Sequence, residues 1–380
     1  MPTVDALDLI LEEIQTSGPL PFSRFMELAL YHPEQGYYQG QRSPIGYQGD
    51  YFTSPHIHRA FARCIARQIT EMWQALGRPQ PFYLVEFGAG SGTLAIQLLE
   101  ELGSSPYIGA AIRYVGIEIS KARRKEAETA IQQWLSLGQA IVSDVPPHAV
   151  PGPAVVFANE FLDALPFHLV VYREGKLMEI YVDAVGGTLK EREGPPTTGV
   201  ERYFRWLGRL PLEGSRIEVN LAMLDWVHSV YRIVPQGYVL VIDYGYSSGE
   251  LYGKPRPRGT AMAYFDHEVS DDLLAHPGQQ DITAHVDFTA LFRAALEAGF
   301  ELAGYTTQAY FLANLGVGDV IAEMILAGAP EPQVDAARLA VAELVWPLGL
   351  GGFRVLALAK NCPPTSFKAF QSANLPDLQS

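Results

Sequence analysis

Val85-Glu86-Phe87-Gly88-Ala89-Gly90-Ser91-Gly92-Thr93 is the stretch whose reading decides the fold. A short apolar run over 83–87 leads into it, and an amphipathic run over 93–102 leaves it. The pattern is strand, glycine turn, helix. Glycines at 88, 90 and 92 permit a sharp turn and let the backbone approach a ligand with no Cβ in the way. Free N–H groups at the helix start can hold an anionic group. A dinucleotide fingerprint requires G-x-G-x-x-G, and Thr93 stands where its third glycine would fall. No Gly-Lys-Ser/Thr follows, which excludes a P-loop. G-x-G-x-G behind an acidic strand end suits S-adenosylmethionine. Its amino-acid end can meet Glu86 and the loop formed by Gly88, Ala89, Gly90, Gly92 and Thr93.

The same strand-and-helix rhythm continues outward. Apolar strand runs fall at 112–118, 140–143, 154–158, 238–243, 301–306 and 353–359, with helical patterns between them. Together with 83–87 they predict an α/β fold: a seven-stranded, mostly parallel sheet with helices on both faces. Helical patterns at 5–17, 22–31 and 57–76 precede it, joined by a loop over 31–55 crowded with Gly, Pro and aromatic residues. After strand four, 167–174 and 176–182 read as a hairpin turning at Glu174-Gly175, and 186–199 as an exposed excursion. A second glycine- and aromatic-rich loop spans 244–284. The expected organisation is an N-terminal helical and loop region (1–80), a cofactor half (81–166), an insertion (167–220), a second core half (221–360) and a tail (361–380).

Carboxylates recur at the predicted strand ends, where open parallel sheets place their chemistry. Glu118 can accept both ribose hydroxyls. Asp144, beside Val145, can meet the adenine amine. Strand four runs into Asn159-Glu160-Phe161-Leu162-Asp163. Methyl transfer is an in-line displacement that needs an aligned nucleophile and relief of its positive charge. A guanidinium has no free lone pair, and a carboxylate in a bidentate grip can orient one nitrogen and draw charge from it. Glu160 is the first choice for that role and Asp163 the second, although Asp163 can equally cap a short helix. Asn159 can position either partner.

Charge and composition narrow the partners. With 28 Lys and Arg against 42 Asp and Glu, the net charge of −14 argues against nucleic acid and favours protein, peptide or small-molecule substrates, particularly cationic ones. Two cysteines, Cys64 and Cys362, are too few for a disulfide scaffold or a zinc cage. The nine histidines form no ligand-spaced cluster, so no metal is expected. No apolar run reaches the ~20 residues of a membrane span. The acidic N-terminus lacks signal- or transit-peptide character. A soluble, cytoplasmic protein without membrane insertion is the expectation.

Several segments, in order, are similar to one family. They are Phe25-Met26-Glu27-Leu28-Ala29-Leu30-Tyr31-His32-Pro33, Gly49-Asp50-Tyr51-Phe52-Thr53-Ser54-Pro55, Glu86 to Leu94, Asn159 to Pro166, Ile242-Asp243-Tyr244-Gly245 and Asp281-Ile282-Thr283-Ala284-His285-Val286-Asp287-Phe288. Thr307-Gln308 and Phe311-Leu312 follow. Over about residues 15–360 the chain resembles the MidA-like methyltransferases. The resemblance implies a Rossmann-like class I methyltransferase fold and S-adenosylmethionine as donor, with S-adenosylhomocysteine as product. It also implies an arginine of a protein acceptor, a respiratory complex I subunit where one exists. The chain departs from the family at His56, where an acidic residue is usual, and at Leu348-Gly349-Leu350-Gly351-Gly352-Phe353-Arg354.

Six further residues are candidates for the acceptor side. Asp50 and Thr53 lie in the aromatic loop and can fold over the donor or acceptor, or make a local turn. Asp243 and Tyr244 end strand five. His285 can act as a base or a pocket wall, and Asp287 suits the N-cap of a helix starting at Phe288. A non-catalytic assembly chaperone and a small-molecule methyltransferase stand as rival readings.

Overall fold

The structure, a computed structural model, describes residues 5–40, 54–266, 268–371 and 378. Its centre is a seven-stranded sheet: β1 (Phe82–Phe87), β2 (Ile112–Ile117), β3 (Ala140–Ser143), β4 (Ala154–Asn159), β5 (Gly237–Asp243), β6 (Glu301–Thr307) and β7 (Arg354–Lys360). The spatial order is β3-β2-β1-β4-β5-β7-β6. β7 runs antiparallel to β5 and β6, and the pairings among β1 to β5 are parallel. These seven strands coincide with the seven sequence-predicted runs.

The apolar strands explain why the sheet is covered on both sides. Val239, Leu240, Val241 and Ile242 are all buried, as a parallel strand between two helical layers must be. One face packs on helices Ala60–Ala75, Thr93–Gly103 and Gln308–Asn314 through Phe61, Ile65, Leu98 and Phe311. The other packs on Thr198–Leu207, Leu221–Ile233 and Phe288–Ala298 through Phe204, Val227 and Leu291. From β1 the chain builds outward to β2 and β3 on one side and then to β4 and β5 on the other, so the strand order reverses between the parallel neighbours β1 and β4 and a crevice opens beyond their carboxyl ends.

The insertion forms a second sheet. Strands His168–Arg173 and Lys176–Val185 make the expected hairpin, with Arg173 opposite Lys176. Glu174 and Gly175 both have positive φ (53° and 72°), the backbone that a two-residue hairpin turn requires. The expected excursion at 186–199 is instead ordered. Gly186 and Gly187, also at positive φ, turn a second hairpin into strand Thr188–Gly194, and helix Thr198–Leu207 follows. That strand's mostly exposed, charged residues hid its pairing from sequence reading.

The N-terminal helices Ala6–Ser17 and Phe22–Tyr31 do not stand apart. Leu20–Pro21 adds a short strand to the insertion sheet. Phe22, Phe25 and Met26 share one buried cluster with Phe167, Leu169 and Ile180 of the insertion and with Ala263 and Ile282. The last two belong to a three-stranded sheet, Met262–Phe265, Glu268–Ser270 and Asp281–Thr283, inside the stretch expected to be loop. Three distant stretches thus make one lobe over the crevice.

Candidate functional site

A cavity of about 1510 Å³ lies at the crevice, between the carboxyl ends of the parallel strands and this lobe. Gly88 and Ala89 donate their N–H groups to the Ile117 carbonyl at 2.9 and 3.1 Å, which pins the glycine turn to the end of β2. Gly88, Gly90 and Gly92 have φ of 72°, 54° and 80°, a region that L side chains avoid. A Cβ on Gly90 would meet only the Gly88 carbonyl, at 4.0 Å, so it would project into open space. Gly92 does not line the cavity. Its Cβ would lie 2.8 Å from Ala127 Cα, so this glycine serves the close packing of helix Thr93–Gly103 on helix Lys121–Ala130.

The predicted strand-end acids occupy different environments. Glu86 is buried at the end of β1, accepts from the Tyr114 hydroxyl at 2.6 Å, and is pushed up to about 7 by burial. Glu118 accepts from Gly90 N at 2.9 Å and Ser120 N at 2.8 Å. A carboxylate has about four lone-pair sites, so two more donors can still approach. Asp144 lies at the rim, paired with Arg124 at 3.3 Å. Val145, in contrast, is 64% exposed and does not line the cavity. Its N–H donates to Ser143 Oγ at 3.2 Å, a local turn that points the side chain outward.

Glu160 has φ of 48° immediately after β4, a strained conformation for a residue with a side chain. Its N–H is held by the Ile242 carbonyl at 2.8 Å, which fixes the bend. Its Oε1 accepts from Ser54 N at 3.1 Å and Asn159 Nδ2 at 3.0 Å. Burial nevertheless pushes this carboxyl up to about 7. Asp163 accepts from the Tyr244 hydroxyl. It is held well above its ordinary range, first by burial and then by the neighbouring Asp243. Asp163 Oδ1 and Asn159 Oδ1 are buried without a hydrogen-bond partner among the described residues.

Two predicted acceptor residues have other work. Asp243 is fully buried beneath the site, and its Oδ2 accepts from Phe161, Leu162 and Asp163 N at 3.2, 2.9 and 3.3 Å. It therefore holds the Glu160–Asp163 segment in shape. Asp287 caps helix Phe288–Ala298 through Ala290 N at 3.0 Å and accepts from Ser248 Oγ at 2.7 Å. Neither lines the main cavity. Tyr244 and His285 do, with their rings 5.4 Å apart. Burial lowers His285 to about 4, so its ring is neutral at physiological pH. Asp50 and Thr53 lie outside the described residues.

Sequence reading passed over Tyr31, Tyr38, Tyr264 and Asp281, all on the cavity wall. Asp281 opens the Asp-Ile-Thr-Ala-His-Val-Asp-Phe run, and aromatic crowding near Tyr31 and Tyr38 was the available signal.

Replacing Asp243 by Ala leaves three N–H groups of one turn, two of them in buried bonds, without their acceptor. The Asp243→Ala protein is expected to lose about 3 kcal/mol or more of stability in urea unfolding. An unchanged midpoint would show that the segment holds its shape without Asp243.

A family model described as "Putative S-adenosyl-L-methionine-dependent methyltransferase" matches residues 64–306. A crystal structure of a COG1565 superfamily member from Burkholderia thailandensis, bound to S-adenosyl-homocysteine, is 31% identical. The match covers 97% of this chain and 95% of that one, with a TM-score of 0.86. The mitochondrial protein arginine methyltransferase NDUFAF7 homolog of Drosophila melanogaster is 28% identical, over 91% of this chain and 83% of that protein. Its human counterpart is 28% identical over 88% and 78%. These relatives are mitochondrial, which lends no support to the cytoplasmic expectation. Among the described residues, no single helix is long and apolar enough to cross a membrane.

Proposed function

Because the chain belongs to this family of S-adenosyl-L-methionine-dependent methyltransferases, we propose that it methylates an arginine side chain of a protein acceptor. The observation that carries the acceptor class is the pair of acids on the cavity wall beside the glycine turn, half-buried Glu160 and buried Asp163. Buried carboxylates without a matching cation are costly, and a guanidinium supplies both the charge and the fork of donors that suit them. The names of the arginine-methylating relatives support the same acceptor.

S-adenosylmethionine supplies, when bound, a methyl group on a positively charged sulfur. The residues present fit it. The unpartnered Asn159 Oδ1, the open space at Gly90 and the spare acceptor capacity of Glu118 all border one cavity. In this reading Glu86, Asn159 and the backbone of Gly88, Ala89, Gly90 and Thr93 hold the amino-acid end. Glu118 accepts the ribose hydroxyls, and Asp144 borders the adenine. Glu160 grips the acceptor guanidinium and orients one nitrogen, and Asp163 steadies its far side. Tyr244 fixes Asp163 through its hydroxyl. His285 forms a neutral wall.

The test is treatment of a cell extract with isotopically labelled donor, followed by mass spectrometry of the labelled peptides. Label on arginine is the expected result, and a respiratory complex I subunit is the first acceptor to inspect. Label confined to another residue type or to a small molecule overturns the arginine acceptor. No transfer to any component favours the assembly-chaperone reading.

A further inference from the structure

The cavity continues beyond Asn159 and Glu160 into a chamber built by three separate stretches. Tyr31 and Tyr38 come from the N-terminal segment, Tyr264 and Asp281 from the three-stranded sheet, and Asp163 and Tyr244 from beyond β4 and β5. Tyr264 and Asp281 are direct partners across adjacent antiparallel strands. The Tyr31 and Tyr38 rings lie 5.3 Å apart, tilted by 50°, and form a corner. Hydroxyls fix the walls. Tyr31 donates to the Ala164 carbonyl at 2.8 Å, Tyr38 to Asp281 Oδ1 at 2.6 Å, and Tyr244 to Asp163 Oδ2.

We propose that Asp163 and Asp281, walled by Tyr31, Tyr38, Tyr244 and Tyr264, form the subsite that receives the acceptor's guanidinium, with Asp281 as a second substrate-binding acid. The inference rests on the arginine reading above and says where that side chain lies. Asp163 is 5% exposed and lines the cavity, and its Oδ1 has no partner among the described residues. A buried acceptor oxygen without a donor, on a residue that lines the cavity, marks where a donor belongs. Like charge from Asp243, Asp281 and Glu160, added to burial, raises the Asp163 carboxyl. A cation entering the chamber reverses that penalty. The aromatic walls add a preference for a flat cation, because guanidinium planes stack on tyrosine faces while their edges donate to carboxylates. Glu160 then serves the edge of the guanidinium nearest the glycine turn, and Asp163 with Asp281 the opposite edge.

Calorimetry on the full chain saturated with S-adenosylhomocysteine tests this, with Nα-acetyl-arginine methylamide and its citrulline counterpart as probes. The wild-type protein should bind the arginine compound about 10-fold or more tightly than the citrulline one, because only the former makes charge-assisted hydrogen bonds. Asp281→Asn should weaken the arginine compound by a similar, about 10-fold factor and leave S-adenosylhomocysteine affinity unchanged. The latter affinity also reports that the variant folds. Tyr264→Leu, which removes a wall and no charge, should weaken the arginine compound about 3-fold and stands in if the first variant is unfolded. If both variants bind the arginine compound as the wild type does, the subsite is wrong and the arginine reading survives. If the wild type does not distinguish the two compounds, or binds neither, the arginine reading falls with it.

Discussion

Glu160→Gln is expected to bind S-adenosylmethionine with unchanged affinity and to lose turnover by about 10²–10³-fold, the scale of removing one preorganised electrostatic group. The substitution keeps the shape of the side chain. A glutamine carbonyl can still accept from Ser54 N and from the Asn159 amide, which now hold Glu160 Oε1. What disappears is the negative charge that the guanidinium needs. Glu160 is pushed up to about 7 by burial, so in the wild-type free enzyme it is largely protonated in mildly acidic solution. The kcat/KM profile should therefore climb toward pH 7 in the wild type, and the part of that climb due to Glu160 should be missing in the variant. Stability should run the other way. Glu86 and Glu160 are held near 7, above the ordinary 4.5, so the folded chain keeps protons that the unfolded chain would release. The fold should lose stability as pH rises from 4.5 to 7. Full turnover in Glu160→Gln would sink the guanidinium-gripping role.

Gly90→Val should abolish donor binding, with affinity reduced roughly 10²-fold or more. Two effects act together. Gly90 has φ of 54°, and a β-branched residue there is a genuine backbone outlier. The new side chain would also project into open space on the cavity wall, the space that the proposed donor occupies. The Gly90 N–H bond to Glu118 would shift as well, disturbing the carboxylate assigned to the ribose. Calorimetry with S-adenosylmethionine gives the result directly, and unfolding in urea separates it from loss of fold. Unchanged binding would remove the glycine turn from the donor site.

The candidate site was legible wherever local sequence fixes local geometry. The glycine turn, Glu86, Glu118 and the Glu160 segment follow strand ends, and strand ends follow from apolar runs of the right length. The same logic fails one residue away. Val145 follows a strand end as Asp144 does, but the bond from its N–H to Ser143 Oγ turns it to solvent. Gly92 belongs to the glycine pattern, but its partner is Ala127 on a neighbouring helix, and periodicity carries no record of that approach. Asp243 reads as a site acid by position. It is committed to three backbone N–H groups from a segment about 80 residues earlier in the chain.

By itself, the sequence determined the seven strands, the glycine turn and the hairpin at Glu174-Gly175, since each depends on contacts within one short stretch or on hydrophobic alternation. Tertiary structure alone decided the lobe that completes the cavity. Along the chain its parts are an N-terminal region, an insertion and a late loop, far apart in sequence. Joined, they bury Phe22, Phe25, Leu169, Ile180 and Ile282 in a single cluster. That shared burial carries Tyr31, Tyr38, Tyr264 and Asp281 to one wall of the cavity, and no spacing within the sequence could have shown that they meet.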